Sequence, residues 1–433
     1  MKNINVALLG FGTVGSGVAE TIRKNGKLIE DSIGCHFTLT HVLVRHPEKY
    51  RDLEILKGVQ VTSSFEDIMN DGSVEIVIEV MGGIHPAKEY IFEALNHHIS
   101  VVSANKDLVA LFGPEIMHTA MDNHVNFNCE ASVGGGIPIL RPLHDSLAAN
   151  EIERIVGIVN GTTNFILSNM DEAGVSYGDA LRVAQKKGYA EVDPTNDVAG
   201  YDAARKLAIL ASIGFHANVT FDDVLVEGIE KISQNDVQYA SEMGYTIKLL
   251  AVALRQENGI ALNVYPAFVP RSHPLASVKG SYNAIYVTGN IVDDVMFYGR
   301  GAGSLPTASA VMGDIISTAK HIMNHSTGTG MMLTETKRIP FYSSLKLENS
   351  YYFRLIVDDV TGVLSQIASA YADNDISIKE VVQKSRIEDA AELMIITEKT
   401  PRENIIHVEK ALQVLPCMRQ VANIIRVLED DRK

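Results

Sequence analysis

The sequence predicts an α/β protein of two or three domains, and three observations predict it. A short apolar strand, Asn5 to Leu9, runs directly into Gly10-Phe11-Gly12-Thr13-Val14-Gly15 and then a helical pattern, the setting that gives a glycine-rich turn meaning as a dinucleotide site. Strand-like and helix-like segments then alternate to about residue 135, as in a doubly wound (Rossmann-type) parallel sheet. Residues 350–428 read strand, helix, strand, strand, helix, strand, the order of a ferredoxin-like split motif. The domains expected are therefore 1–135 (completed by a helix at about 305–325), 136–304 with a mixed sheet covered by helices, a linker over 326–349 and a C-terminal domain over 350–428.

Each element of the first part has a local reason. Gly10 permits the tight turn, Gly12 lets backbone approach a pyrophosphate, and Gly15 lets helix and strand pack closely. Free N–H groups at the helix start favour an anion there. The second strand, Phe37 to Val44, ends at Arg45 rather than at the acidic residue that NAD selectivity favours, so a 2′-phosphate and NADP(H) are expected. Lys49 nearby reads as a solvated charge. Glu75 to Val80 is a strand ending in Gly82-Gly83, and a helix follows from Pro86 to about His98. Ser100 to Ser103 is the next strand, and Lys106 follows at its carboxyl end, where open α/β sheets bind ligands. The run Cys129 to Pro138, with three glycines, reads either as a hinge or as a set of carbonyls able to ligate a hard cation.

The middle part begins with a strand from Ile155 to Val159 and the segment Asn160-Gly161-Thr162-Thr163-Asn164. A helix is expected from near Asn196 through Leu210, and a long one from about Asp236 to Ala253. Strands follow near Ile260 to Val269, Ala284 to Thr288 and Val295 to Tyr298. The stretch from Gly188 to Lys206 gathers Glu191, Asp193, Asp197 and Asp202 with Arg205 and Lys206. Asp202 and Lys206 stand four apart and share a helix face. A lysine held among acids can give a proton to a developing alkoxide. Gly299 to Gly303 is a second glycine turn before a helix, and Asp359 to Leu364 sits at the first strand–helix junction of the C-terminal domain.

Composition bounds the function. The 433 residues are 46% hydrophobic and 21% charged, with a net charge of −15, which argues against nucleic acid or an acidic membrane surface as partner. Three scattered cysteines, Cys35, Cys129 and Cys417, make no disulfide framework or zinc site. With no apolar run of about eighteen residues and no signal-like start, no membrane span and a cytoplasmic location are expected.

Taken together, these pieces resemble homoserine dehydrogenase of the type with a C-terminal regulatory ACT domain, over essentially the whole chain. Ala184 through Lys206 matches the family signature most closely, joined by Ser103-Ala104-Asn105-Lys106 and Asn160 to Asn164. The resemblance implies that Gly10, Phe11, Gly12, Thr13, Val14, Gly15, Arg45, Ser103, Lys106 and Gly301 serve the cofactor, NADP(H) preferred and NAD(H) possible. It implies that Glu191 and Asp202 hold the substrate's amino end with Gly161, Thr162, Tyr189 and Asp197, and that Lys206 transfers the proton with Lys106 across from it. Glu130, Val133, Gly135 and Ile137 would ligate a monovalent cation such as sodium, mostly through carbonyls. The substrate domain would also make a homodimer or homotetramer. In the C-terminal domain, Asp359, Gly362, Val363, Asn374 and Ile376 would hold L-threonine as a feedback ligand, with a passive dimerisation module as the alternative. Two rival readings remain at this point: a semialdehyde dehydrogenase with Cys129 as nucleophile, and a non-catalytic amino-acid sensor.

Overall fold

In a computed structural model of the chain, residues 2–328, 339–387 and 390–429 are described. Two compact units emerge, one of residues 1–155, 205–223 and 283–339, the other of 156–204, 224–282 and 340–433. Within the first unit, strands β1 (Lys2–Leu9), β2 (Cys35–Leu43), β3 (Gln60–Thr62), β4 (Val74–Glu79), β5 (Ser100–Ser103) and β6 (Phe127–Asn128) form one sheet. Its order is β3-β2-β1-β4-β5-β6 and every pairing is parallel. The order reverses at β1 and β4, so their carboxyl ends flank the switch point where such sheets bind dinucleotides. Helix Thr13–Ile33 buries Gly15, Gly17, Val18, Ala19 and Ile29 on this sheet. Helix Ser304–Met323 joins the same core through Ala308, Val311, Met312, Ile315 and Ala319. It passes so close to the first helix that a Cβ on Gly17 would stand 2.7 Å from the Ser304 oxygen.

The remaining strands are β7 (Ile152–Ile158), β8 (Leu225–Val226), β9 (Tyr245–Gln256), β10 (Gly259–Pro270), β11 (Tyr282–Gly289), β12 (Asp293–Arg300), β13 (Glu348–Asp358), β14 (Ile378–Ile387), β15 (Ala390–Thr397), β16 (Thr400–Pro401) and β17 (Met418–Val427). In the second unit they run β7-β9-β10-β17-β13-β15-β14. The last four places are the ferredoxin-like order, with helices Val363–Ala372 and Arg402–Gln413 closing a separate core around Phe353, Leu355, Tyr371, Ile395 and Val408. This C-terminal module shares its sheet with the segment before it. β17 pairs parallel with β10 at Ala267–Arg426 and Phe268–Val427, and Tyr352 stacks on Phe268 with ring centroids 4.4 Å apart.

Two expected helices differ. The run from Asp236 to Ala253 is a helix only over Gln234–Glu242, and β9 takes the rest. Gly244, at φ +84°, ends the helix, and β9 is buried without a break from Thr246 to Ala253, so its apolar run lacks the alternation that marks a half-exposed strand. The helix expected from Asn196 is two, Thr195–Val198 and Tyr201–Phe215, because Gly200 takes φ +87° between them. Of the expected linker, residues 329–338 lie outside those described. Past them, Phe341 bridges Ile260 and the Tyr342 N–H donates to the Ile260 oxygen at 2.8 Å, so this end runs along β10. No helix among the described residues is long and apolar enough to cross a membrane.

Candidate active site

The glycine turn is built as its residues require. Gly10 takes φ +100° and donates its N–H to the Leu43 oxygen at 2.9 Å. A Cβ on Gly15 would stand 2.2 Å from the Gly10 oxygen, so only glycine lets the helix approach. At Gly12, the helix N-cap, nothing lies within 4 Å of a would-be Cβ. The backbone there is open to a bound group, with Thr13 and Val14 starting the helix. Phe11 is buried against Tyr50, edge to face at 5.7 Å. Arg45 stands exposed two residues beyond the end of β2.

At the ends of β4 and β5 sits a carboxylate the sequence reading passed over. Glu79 is fully buried and accepts the Ser103 hydroxyl at 2.6 Å and the Met81 and Gly82 N–H groups at 2.9 and 3.4 Å. Burial pushes its pKa up, against these donors. The Ser103 oxygen also accepts the Asn105 N–H, and the Asn105 side chain caps the helix that Lys106 opens. Glu79 and Ser103 thus fix the turn that presents Lys106. The signal for Glu79 was its place, last in a central parallel strand before two glycines.

Lys206 lies half-buried on helix Tyr201–Phe215, one turn after the buried Asp202. Its neighbour Arg205 reaches Asp107, the residue after Lys106, at 3.4 Å. That ion pair ties the start of the Lys106 helix to the helix carrying Lys206. In the second unit, Asn160 caps helix Gly161–Ala173 with its side-chain oxygen. Its amide nitrogen donates to Asp197 at 2.7 Å and to Asp202 at 2.9 Å. Thr162 donates its hydroxyl to the Tyr189 oxygen at 2.7 Å, and the Tyr189 ring rests on Phe165 at 4.8 Å. Asn160 therefore gathers Asp197 and Asp202, while Glu191 stays exposed. Asn160 is the second residue missed as a site residue, since the sequence marks it only as the start of the Asn160 to Asn164 segment.

The glycine run after Cys129 meets the one after Arg300. The Gly136 N–H donates to the Arg300 oxygen at 2.9 Å, and a Cβ on Gly135 would stand 2.4 Å from the Gly301 oxygen. The Glu130 carboxylate is already occupied by the N–H groups of Ile139, Leu140 and Arg141 at 2.5 to 2.8 Å. Gly301 presses on the Asn283 side chain, a buried amide whose nitrogen and oxygen both lack a hydrogen-bond partner among the described residues. Cys129 is fully buried; burial, with the charges of Asp314 and Glu130, pushes its thiol far above the ordinary range. A thiolate nucleophile is disfavoured there. In the C-terminal module, Gly362 caps its helix at φ +91° with open space around it. Val363 and Ile376 point into the module's core, and the Asn374 amide donates to the Ala370 oxygen at 2.8 Å.

A strand, glycine turn and helix at the switch point of a parallel sheet define the class, a dinucleotide-binding enzyme. Family-model matches narrow it. Residues 10–130 match the model described as homoserine dehydrogenase, NAD binding domain, and residues 138–316 match the homoserine dehydrogenase model. The chain is 39% identical to homoserine dehydrogenase of Bacillus subtilis (strain 168) over 429 residues, covering 99% of each. The crystal structure of a homoserine dehydrogenase from Thiobacillus denitrificans superposes with a TM-score of 0.93 at 38% identity, covering 99% of each chain. A hyperthermophilic archaeal homoserine dehydrogenase in complex with NADPH gives 0.63 at 27% identity, covering 73% of this chain and 98% of that one. The chain belongs to the homoserine dehydrogenase family, oxidoreductases of aspartate-family amino-acid biosynthesis, and carries that family's NAD(P)-binding domain.

Proposed function

We propose that this chain interconverts L-aspartate 4-semialdehyde and L-homoserine with Lys206 as the proton-transferring group and NADP(H) as the preferred cofactor. The observation that carries the reading is Lys206 one helical turn from a buried carboxylate, Asp202, that Asn160 holds in place. When bound, the nicotinamide supplies the hydride for the new C–H bond. The Lys206 ammonium holds a proton at the carbonyl oxygen and releases it there as negative charge develops. Asp202 and Glu191 take the substrate's ammonium, Thr162, Gly161, Tyr189 and Asp197 shape that end, and Lys106 stands across from Lys206. The open backbone at Gly12 suits a pyrophosphate, and Arg45 suits a 2′-phosphate. The NADPH in the archaeal relative supports the same preference.

A monovalent cation on the carbonyls of Glu130, Val133, Gly135 and Ile137 completes the reading. The partnerless Asn283 amide against Gly301 supports a bound group beside Gly135. The C-terminal module is read as an ACT domain that binds L-threonine at Asp359, Gly362, Val363, Asn374 and Ile376.

The test is spectrophotometric. Wild type should oxidise NADPH when aspartate 4-semialdehyde is added, and Lys206→Ala should lose about 10²- to 10⁴-fold in turnover. NADPH binding by fluorescence should survive in the variant. Near-normal turnover there would remove Lys206 from the chemistry.

A further inference from the structure

The C-terminal module grips one acidic side chain of the preceding segment. Arg426, on β17, pairs bidentately with Glu227, Nη1 to Oε2 at 2.8 Å and Nη2 to Oε1 at 2.9 Å. Arg402, which opens helix Arg402–Gln413, adds a third contact at 2.8 Å. Arg426 is buried, its guanidinium 4.3 Å from the centre of the Tyr265 ring. Burial alone would push the Glu227 carboxyl up, but the two arginines outweigh it and hold the group below its ordinary range. Forked pairing of this kind fixes orientation as well as distance.

From Glu227 the contact continues through backbone. The Glu227 N–H donates to the Val264 oxygen at 2.7 Å. At Gly228 a Cβ would stand 2.4 Å from the Val198 oxygen and 2.7 Å from the Ala199 Cα, so the two backbones touch with no room between them. The Ile229 N–H donates to the same Val198 oxygen at 2.9 Å. Val198 closes the short helix that carries Asp197, and Ala199-Gly200 lead into the helix that carries Asp202. Asn160 then holds both carboxylates.

We propose that Glu227 is a positioning residue that makes the placement of the substrate-side carboxylates, Asp197 and Asp202, depend on the placement of the C-terminal module. The inference rests on the reading of Asp202 as a substrate-ammonium partner. Because the Gly228–Ala199 contact is tight, a shift of Glu227 moves the 197–202 segment rather than being absorbed.

The experiment compares full-length wild type, Glu227→Gln, Arg402→Gln and the double variant. It measures kcat, KM for aspartate 4-semialdehyde, NADPH affinity by fluorescence and Tm. Each single variant should raise KM for the aldehyde about three- to tenfold, with kcat and NADPH affinity nearly unchanged. The double variant should be no worse than Glu227→Gln alone, since both break one linkage. Arg402→Gln leaves the Arg426–Glu227 fork intact, so it carries the test if Glu227→Gln folds poorly. A KM equal to wild type in both single variants, or independent effects that multiply, overturns the proposal. Loss of Tm with no change in KM does so too. A wild-type protein inactive toward the aldehyde would instead overturn the functional reading on which it rests.

Discussion

What a carboxylate does here is set by the donors that point at it. Glu130 is buried and committed to backbone N–H groups, and Glu79 to backbone N–H groups and the Ser103 hydroxyl, so they shape loops. Glu191 is exposed, and Asp202 is buried and accepts the Asn160 amide at 2.9 Å, the setting of its proposed role toward a cationic substrate. The same reasoning supports the role proposed for Arg45. Its guanidinium can fork onto a 2′-phosphate and finds nothing equivalent in NAD. Arg45→Ala should raise KM for NADPH by tenfold or more, on the scale of about 1.5–3 kcal/mol for a charged hydrogen bond, and change KM for NADH little. Equal losses on both cofactors would remove the argument. Cys129→Ala separates this enzyme from a thiol-dependent one, and activity should be nearly untouched. The glycine turn was legible in the sequence because its chemistry is local, six residues whose spacing states their geometry. Asn160 was not, because its partners Asp197 and Asp202 lie 37 and 42 residues on.

At the level of elements, the hardest stretch to read was Tyr245–Gln256. A strand buried on both faces shows no period-two pattern, and the helix just before it led the helical reading onward. Lys248 in that strand is the clearest sign of its burial. It is 2% exposed and donates to the Asn164 side-chain oxygen at 3.1 Å and the Val278 oxygen at 2.5 Å. Burial lowers its pKa to about 8, from an ordinary 10.5. Between those values the unfolded chain holds a proton that the folded one has released. Stability contributed by Lys248 therefore rises with pH from about 8 to about 10.5, and is lowest below 8, where folding must bury the charge. Against Lys248→Met, which keeps the volume and loses the proton, wild type should gain relative stability in denaturant melts as pH climbs through that window. A difference independent of pH would mean that the folded amine titrates as it does in the unfolded chain, solvated and unshifted.

On the scale of the whole chain, the order of the C-terminal strands and helices was legible, while the way they join the rest was not. Beside the β10–β17 pairing, Phe268 of β10 stacks on Tyr352 of β13, a contact between segments far apart in sequence. That junction changes how regulation should be tested. A chain ending near Met332 would strip β17 from β10 and bare Phe268, so its behaviour would report on the damaged sheet as much as on a lost ligand. Gly362→Asp is the cleaner probe. At φ +91° an aspartate is strained, and its carboxylate would stand where a bound amino acid's carboxylate meets the helix N–H groups. Threonine can inhibit only by binding the less active state more tightly. Full-length wild type should therefore lose rate in millimolar threonine, and Gly362→Asp should keep its basal rate and its Tm within a few degrees while ignoring the amino acid. Calorimetry should show threonine binding lost in the variant. Wild-type rates indifferent to threonine, or inhibition that persists in Gly362→Asp, would leave the C-terminal module without its proposed ligand.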